Sequence, residues 1–321
     1  MRYRNLAFYR LQGRLLQFNY RTQTELRSFE FKKDQTMHLQ DFDTSRQYQA
    51  TLVSSERITE DDSTTEVKEL VLNIQNTNFR YQLGQLVGVL VPGPHEFGQQ
   101  IHFRLYNIAE APDGPDQDNQ ITLCVKRCNY IDEYSGEEYK GIASNYLCDL
   151  KPGEQVTLSG PYGVPFEIPE DKTADILMIG MGTGIAPFRA FVKHIYHNLG
   201  GWQGKVRLFY GARTGLDLLY MNDKRNDFVN YYDEDTFEAF QALSPRPYWD
   251  ESIDFEQALQ QHQQEVWDMF RDPKTYVYIA GLEVIRESLD KAFSQMAGSE
   301  EKWQRRKAEL VAGKRWIELL Y

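Results

Sequence analysis

Three stretches of this 321-residue chain carry residue types and spacings that could hold a phosphate. The first is DILMIGMGTGIAPFRAF, residues 175–191. Six residues of strand character run into Gly180, Gly182 and Gly184, with Thr183 between the last two, and a helical pattern begins at Ile185. A glycine turn beyond the carboxyl end of a strand lets backbone amides approach an anion. The helix N-terminus behind it adds roughly half a positive charge. The spacing is G-x-G-x-G, not the G-x-G-x-x-G of a dinucleotide fingerprint, and no G-K-[ST] follows for a triphosphate. A phosphate seat and a tight structural turn both stay open. The second stretch is HFRLYNIA, residues 102–109, where strand alternation puts Arg104 and Tyr106 on one face and Leu105 and Asn107 on the other. An arginine beside a tyrosine can hold a pyrophosphate and cover a flat ring. The third is KGIASNYL, residues 140–147, in which a glycine and two small residues at a helix start could offer amides to an anion. An ordinary barrel strand followed by a Ser-capped helix is the plain alternative for the last two. His194 and His197, three apart on a helix, lack a third ligand nearby and read as surface residues. No Ser-His-Asp order or H-E-x-x-H points to a hydrolase.

The elements that must position these groups fall into two rhythms. YQATLVSSERI, VKELVLNI, GQLVGVLVP, HFRLYNIA, NQITLCVKR and EQVTLSGPYG, within residues 48–163, are rich in Val, Leu, Ile, Thr and Tyr, and Pro/Gly/Asp turns separate several of them. Many short strands without helices predict an antiparallel barrel or sandwich. From residue 175 the rhythm alternates: DILMIG, KVRLFYGAR and TYVYIAG read as strands, IAPFRAFVKHIYHNLGG and LEVIRESLDKAFSQMA as helices. That alternation predicts parallel strands joined by crossover helices. The boundary falls near PEDKTAD, residues 169–175, and the acids of NDKRNDFVNYYDEDT, residues 222–236, read as a solvated face.

Length over ~150 residues per domain also gives two domains. The net charge of −11 argues against a nucleic-acid binder, which needs excess Lys and Arg. The odd set Cys124, Cys128 and Cys148, with no secretory leader, suggests a reduced, cytoplasmic protein. It is also one cysteine short of the usual four iron–sulfur ligands. No apolar run approaches the ~20 residues of a membrane-spanning helix, so no transmembrane segment is expected. Arg2, Arg4, Arg10, Arg14 and Arg21 precede the first acid, Glu25. They make a local reversal of sign that reads as a solvated or docked arm, or as a patch for an acidic partner.

Taken together, RLYNIA, LCVKR, GIASNYLCDLKPG, GTGIAPFRAF, LLY, TYVYIAGL and WIELLY resemble the plant-type ferredoxin–NADP reductase family, from about residue 48 to Tyr321. The resemblance implies an N-terminal extension (1–42), an antiparallel FAD-binding β-barrel (43–168) and an α/β NAD(P)-binding domain with a parallel sheet (169–321). It implies an enzyme that passes electrons between NAD(P)H and a ferredoxin or flavodoxin. Arg104 would pair with the FAD pyrophosphate, with Leu105 and Asn107 beside it and Tyr106 along the flavin. Cys124 and Val125 would lie at the flavin, Lys126 near the nucleotide phosphates, and Tyr130 against the adenine. Ile142, Ala143 and Ser144 would offer backbone groups to the FAD pyrophosphate. Gly182, Thr183 and Gly184 would meet the nicotinamide nucleotide's pyrophosphate, and Ala212, Arg213, Gly281 and Leu282 would continue that site. Tyr321 matches the ring that covers the flavin.

Four departures from the family's pattern follow. Its serine near flavin N5 is Asn107, its cysteine beside the nicotinamide is Ala280, and its acid before the final aromatic is Leu319. Glu318 stands one place earlier, which in a strand turns it to the other face. Asn107, Ala280, Glu318 and Tyr321 form the candidate catalytic set, with turnover expected to be slower than is usual in the family. For the 2′-phosphate, Ser244 is present and Arg246 comes one place late, while Lys-x-Tyr is missing and Asp250, Glu251, Asp254 and Glu256 surround the site. The family and Arg246 together lean to NADP(H) over NAD(H). The alternatives are the reductase component of an oxygenase system, or a flavin- or nucleotide-binding regulator with reduced turnover.

Overall fold

The computed structural model describes residues 42–320 apart from 76–77, 96–97, 112–118, 132–136, 164, 232–234, 246–252 and 254. All of them belong to one compact unit.

The N-terminal half is an antiparallel six-stranded sheet. Its strands are β1 (Gln47–Arg57), β2 (Val67–Ile74), β3 (Leu86–Pro92), β4 (Ile101–Asn107), β5 (Gln120–Lys126) and, after a short hairpin of β6 (Asn129–Ile131) and β7 (Glu138–Lys140), β8 (Gln155–Tyr162). The order is β4-β3-β8-β1-β2-β5. The two edges meet where Ile108 bridges Leu123 and the Ala109 N–H donates to the Thr122 carbonyl at 2.7 Å, which closes the sheet into a barrel. Closure removes the exposed edges that an open sheet would leave. Helix α1 (Ile142–Asp149) sets Ala143, Leu147 and Cys148 into the barrel core among Leu52, Val87, Val89, Leu123 and Val125.

The C-terminal half is a parallel sheet of β9 (Ile176–Met181), β10 (Val206–Ala212), β11 (Phe237–Leu243), β12 (Tyr276–Gly281) and β13 (Trp316–Leu320), in the order β11-β10-β9-β12-β13. Helix α2 (Ile185–Lys193) covers one face. The other face carries α3 (Phe255–Gln261), α4 (Gln263–Arg271), α5 (Ile285–Ala297) and α6 (Glu300–Ala312). With both faces covered, all residues of β9 and β10 are buried, which is why β9 reads as an unbroken apolar run and β10 as one broken only by Arg207, itself paired with Glu265 at 3.0 Å. Fully burying a side chain such as Phe188 contributes about 1.5–3 kcal/mol.

The two halves share an apolar cluster. Ile58, Val67, Leu83, Cys124 and Phe166 of the barrel pack with Phe188, Phe191, Tyr220 and Tyr278 of the second half. The segment from residue 222 keeps Asp223 and Asp235 exposed as expected, but Asp227 departs from a solvated face. Asn222 is buried and donates to the Ile58 carbonyl at 2.9 Å, and Asp227 is held by two arginines.

Candidate active site

Two backbone ends are ready for an anion. The first belongs to the barrel. Helix α1 begins at Gly141 with no side-chain cap and no acid in its first turn, so its leading amides are left to an incoming group. Ser144 does not cap the helix, contrary to the plain sequence alternative. Its Oγ accepts from the Cys128 amide at 3.1 Å and donates to the Gly141 carbonyl at 3.3 Å. Asn145 Nδ2 donates to the Cys128 and Gly141 carbonyls at 3.0 and 2.9 Å. These bonds stitch residues 128 and 141 together. A Cβ at Gly141 would stand 2.9 Å from the Cys128 carbonyl oxygen and from Ser144 Oγ, so only glycine fits the stitch.

Strand β4 supplies the next groups. Arg104 is exposed, donates only to the neighbouring Phe103 carbonyl at 3.0 Å and forms no ion pair among the described residues. Tyr106 packs on the barrel core near α1, and burial raises its phenol pKa. Leu105 is half-buried. Asn107 is buried on the opposite face from Tyr106, and its Oδ1 has no hydrogen-bond partner. In β5, Cys124 faces the shared cluster whereas Val125 points into the barrel. Burial pushes the Cys124 thiol up to about 12, so it is neutral at ordinary pH. Of the two following cations, Arg127 is consumed by Glu66 at 2.9 Å and Asp149 at 2.9 Å, while Lys126 is exposed with no acid partner among the described residues. Tyr130 is exposed and stacks on Tyr139 at 5.3 Å, a flat platform on the β6–β7 hairpin.

The second end belongs to the parallel sheet. After β9 the turn Gly182–Gly184 leads into α2, again with no side-chain cap and no acid in the first turn. A Cβ at Gly184 would lie 2.3 Å from the Ala280 carbonyl oxygen, and Gly281 has φ +140° against Met181. The two glycines therefore let the ends of β9 and β12 touch backbone to backbone. Gly182 has φ +56° with open space where a side chain would be, so the turn presents bare backbone outward. Leu282 is exposed beside Gly281. The register Ala212↔Leu243 brings Arg213 and Ser244 side by side at the carboxyl edge of β10 and β11, where ligands sit in such sheets. Arg246, Asp250, Glu251 and Asp254 lie outside the described residues. Glu256 is drawn to Lys291 at 2.8 Å and Gln295 at 2.8 Å on α5, so its charge is engaged there.

The comparisons fit this geometry. The family "Oxidoreductase FAD-binding domain" matches residues 49–166 and "Oxidoreductase NAD-binding domain" matches residues 178–291. The ferredoxin–NADP reductase of Spirulina sp is 30% identical over 271 residues, covering 82% of this chain and 92% of that one. The chloroplastic enzyme of Spinacia oleracea is 34% identical over 274 residues, covering 83% of this chain and 73% of its own. The chain belongs to the ferredoxin–NADP reductase family. The solved ferredoxin–NADP+ reductase of Plasmodium falciparum shares the fold, with a TM-score of 0.65 at 22% identity over 85% of this chain and 95% of that one.

Against that family the departures take on geometry. Trp316 and Leu320 join the cluster under α4–α6, whereas Ile317 and Leu319 pack with Ala280 on the α2 side. Glu318 is bound to Arg286 at 2.8 Å and accepts from the Trp316 indole at 2.6 Å. Its place in the candidate catalytic set is therefore corrected: strand parity turns it from the face that holds Leu319 and Ala280. Tyr321 lies outside the described residues.

One feature escaped the sequence reading. Arg189 of α2, 8% exposed, sits 2.6 Å from Asp227, 3.1 Å from Glu110, 2.9 Å from the Ala109 carbonyl and 3.8 Å from Glu69. Arg225 meets Glu69 at 3.0 Å and Asp227 at 2.8 Å, and Lys193 meets Glu110 at 2.6 Å. Burial disfavours the Arg189 charge, but Glu69, Asp227 and Glu110 outweigh it and raise its pKa. This ionic seam joins the barrel to the second domain. Its members are scattered from residue 69 to 227, and only the R of GTGIAPFR hinted at it.

Proposed function

We propose that this chain is a FAD-dependent reductase exchanging electrons between NADP(H) and a one-electron protein carrier, ferredoxin or flavodoxin. Family membership supports the class. The observation that carries the reading is Asn107: a buried polar group with an unsatisfied Oδ1 at the end of β4, in a chain that also presents two uncapped helix ends. Buried orphan acceptors are rare, and a bound ring with a donor edge accounts for this one. Arg104 and the α1 amides fit a pyrophosphate, the Tyr130–Tyr139 platform fits an adenine, and the Gly182–Gly184 turn fits the pyrophosphate of a second nucleotide.

When bound, FAD supplies hydride acceptance at N5 and release of electrons singly. The chain's own groups do the rest. Arg104, Ile142, Ala143 and Ser144 hold the pyrophosphate, and Asn107 offers hydrogen bonds at the reacting edge. Gly182, Thr183 and Gly184 seat the nucleotide, with Ala212, Arg213, Gly281 and Leu282 extending its cleft. Ala280 leaves room where the family has a larger side chain. Arg213 and Ser244 support NADP(H), a choice in keeping with the Plasmodium falciparum enzyme having been solved with 2′P-AMP. We place the domain boundary at 168/169 and the protein in the cytoplasm. Among the described residues no helix is long and apolar enough to cross a membrane.

The test is rapid mixing of the yellow protein with NADPH and NADH, followed by dye and ferredoxin reduction. Flavin reduction faster with NADPH, but slower than is usual in the family, is expected. The departures at Asn107, Ala280 and Leu319 favour a second reading, a flavin-binding regulator. A yellow protein that neither nucleotide reduces would establish that reading instead.

A further inference from the structure

Tyr220 is the most constrained residue at the domain junction. It is wholly buried, yet its φ is +61°, a left-handed backbone that a bulky residue adopts only when its surroundings impose it. The Arg189 guanidinium covers its ring at 4.8 Å. Its hydroxyl lies beside the Cys124 thiol and the Glu69 carboxylate, near enough to interact with both, and no well-formed hydrogen bond satisfies it. Strain and an unsatisfied buried hydroxyl together mark a residue held for something other than stability.

Its connections run in two directions. Towards the nucleotide turn, the neighbouring Leu219 N–H donates to Tyr210 Oη at 3.2 Å, and Tyr210 O–H donates to the Gly182 carbonyl at 3.1 Å. Towards the barrel, the hydroxyl faces Cys124. Glu69 pairs with Cys124 across β2 and β5, and the Ile108–Leu123 bridge, extended by one residue, sets Asn107 beside Cys124. One face of the barrel thus carries Glu69, Cys124 and Asn107 in a row. Two of the three, Glu69 and Asn107, have an orphaned oxygen of their own.

We propose that Tyr220 is a positioning residue that couples the Gly182–Gly184 turn to the Cys124–Asn107 row, so that a nucleotide at the turn sets the geometry at Asn107. The coupling rests on the reading of these sites as seats for NADP(H) and FAD. It acts through hydrogen bonds on the turn side, Gly182 to Tyr210 to Leu219, and through packing and strand register on the barrel side, Tyr220 to Cys124 to Asn107.

The experiment uses the full chain with FAD bound and compares wild type, Tyr220→Phe and Tyr210→Phe. Two quantities are read: the limiting rate and half-saturation of flavin reduction by NADPH, and the infrared S–H band of Cys124 (identified with Cys124→Ser) before and after NADP+. In wild type, NADP+ shifts the band. In Tyr220→Phe the shift disappears and the limiting rate falls by roughly ten- to a hundredfold, as expected for small misplacement, with half-saturation little changed. A lower melting temperature with a wild-type rate and band response makes Tyr220 a packing residue and overturns the coupling. If Tyr220→Phe loses its FAD, Tyr210→Phe decides: it cuts the other end of the link, and a wild-type band response there overturns the proposal. A wild type that neither NADPH nor NADH reduces defeats the functional reading itself, which is a different result from a reducible wild type with an indifferent Tyr220→Phe.

Discussion

The two helix ends solve one problem with different materials. At α1 the cradle is stitched by side chains: Ser144 and Asn145 turn back onto Cys128 and Gly141 and leave the first-turn amides clear. At α2 the cradle is mostly backbone, with Gly184 against Ala280, and a single side chain, Tyr210, ties the Gly182 carbonyl. At α1 the helix follows the short β6–β7 hairpin, and side chains tie its first turn to the Cys128 loop. A parallel sheet aligns its strand ends, so glycines suffice. The first cradle should therefore depend on Ser144 and Asn145 as well as on Gly141, and the second chiefly on its glycines and the Tyr210 hydroxyl.

The largest effect tests whether the cradles are held separately at all. Arg189→Met removes the cation shared by Glu69, Glu110 and Asp227 and leaves them Arg225 and Lys193 alone. A fully unpaired buried charge costs about 3–5 kcal/mol, and with two cations remaining the loss should lie below that range, measurable by denaturant unfolding. Unchanged stability would mean that each cradle stands on its own scaffold. Next, Gly184→Ala drives a methyl into the Ala280 carbonyl, for a loss of about 1–3 kcal/mol or more. NADPH-dependent bleaching should vanish while FAD stays bound. Gly182→Ala, which meets only open space, should cost about 1 kcal/mol through its backbone angle. Equal losses for the two glycines would break the contrast.

On the α1 side, Arg104→Leu should weaken FAD binding by about 1.5–3 kcal/mol, the worth of a charged hydrogen bond, in a fluorescence titration of the apoprotein. Ser144→Ala should cost about 1 kcal/mol of stability. Smallest is a pH effect at His102, on the strand that carries Arg104. Burial first, then Arg104 and His95, depress its pKa from 6.5 to about 4. The unfolded chain takes up a proton near pH 6.5 and the folded one only near 4, so apoprotein stability falls as pH drops through that window. Because the ring is half-exposed, the loss should be on the order of 1 kcal/mol. His102→Gln should flatten that limb of a melting-temperature profile.

Much of this was legible in the sequence. Short strands rich in Val, Leu, Ile, Thr and Tyr gave the barrel, mostly apolar runs gave β9 and β10, and Gly182 to Gly184 stood out by spacing. What stayed hidden has physical reasons. β11, FEAFQAL, is an edge strand with polar residues between its apolar ones, and α6 buries only Trp303 and Leu310, so neither carries a strong period. Ser144 has the look of a cap, but its role depends on Cys128 arriving from another loop. The Arg189 seam joins acids that no local pattern connects. Glu318 could be placed by strand parity, whereas its capture by Arg286 and Trp316 could not.

Both guanidiniums of the seam are pinned: Arg189 by three carboxylates and a carbonyl, Arg225 by Glu69 and Asp227. Neither can swing when charge changes nearby. For a chain that moves electrons one at a time, a frozen set of charges contributes little reorganisation energy. The slow adjustment that accompanies each electron is then left to the water on the open side of the molecule.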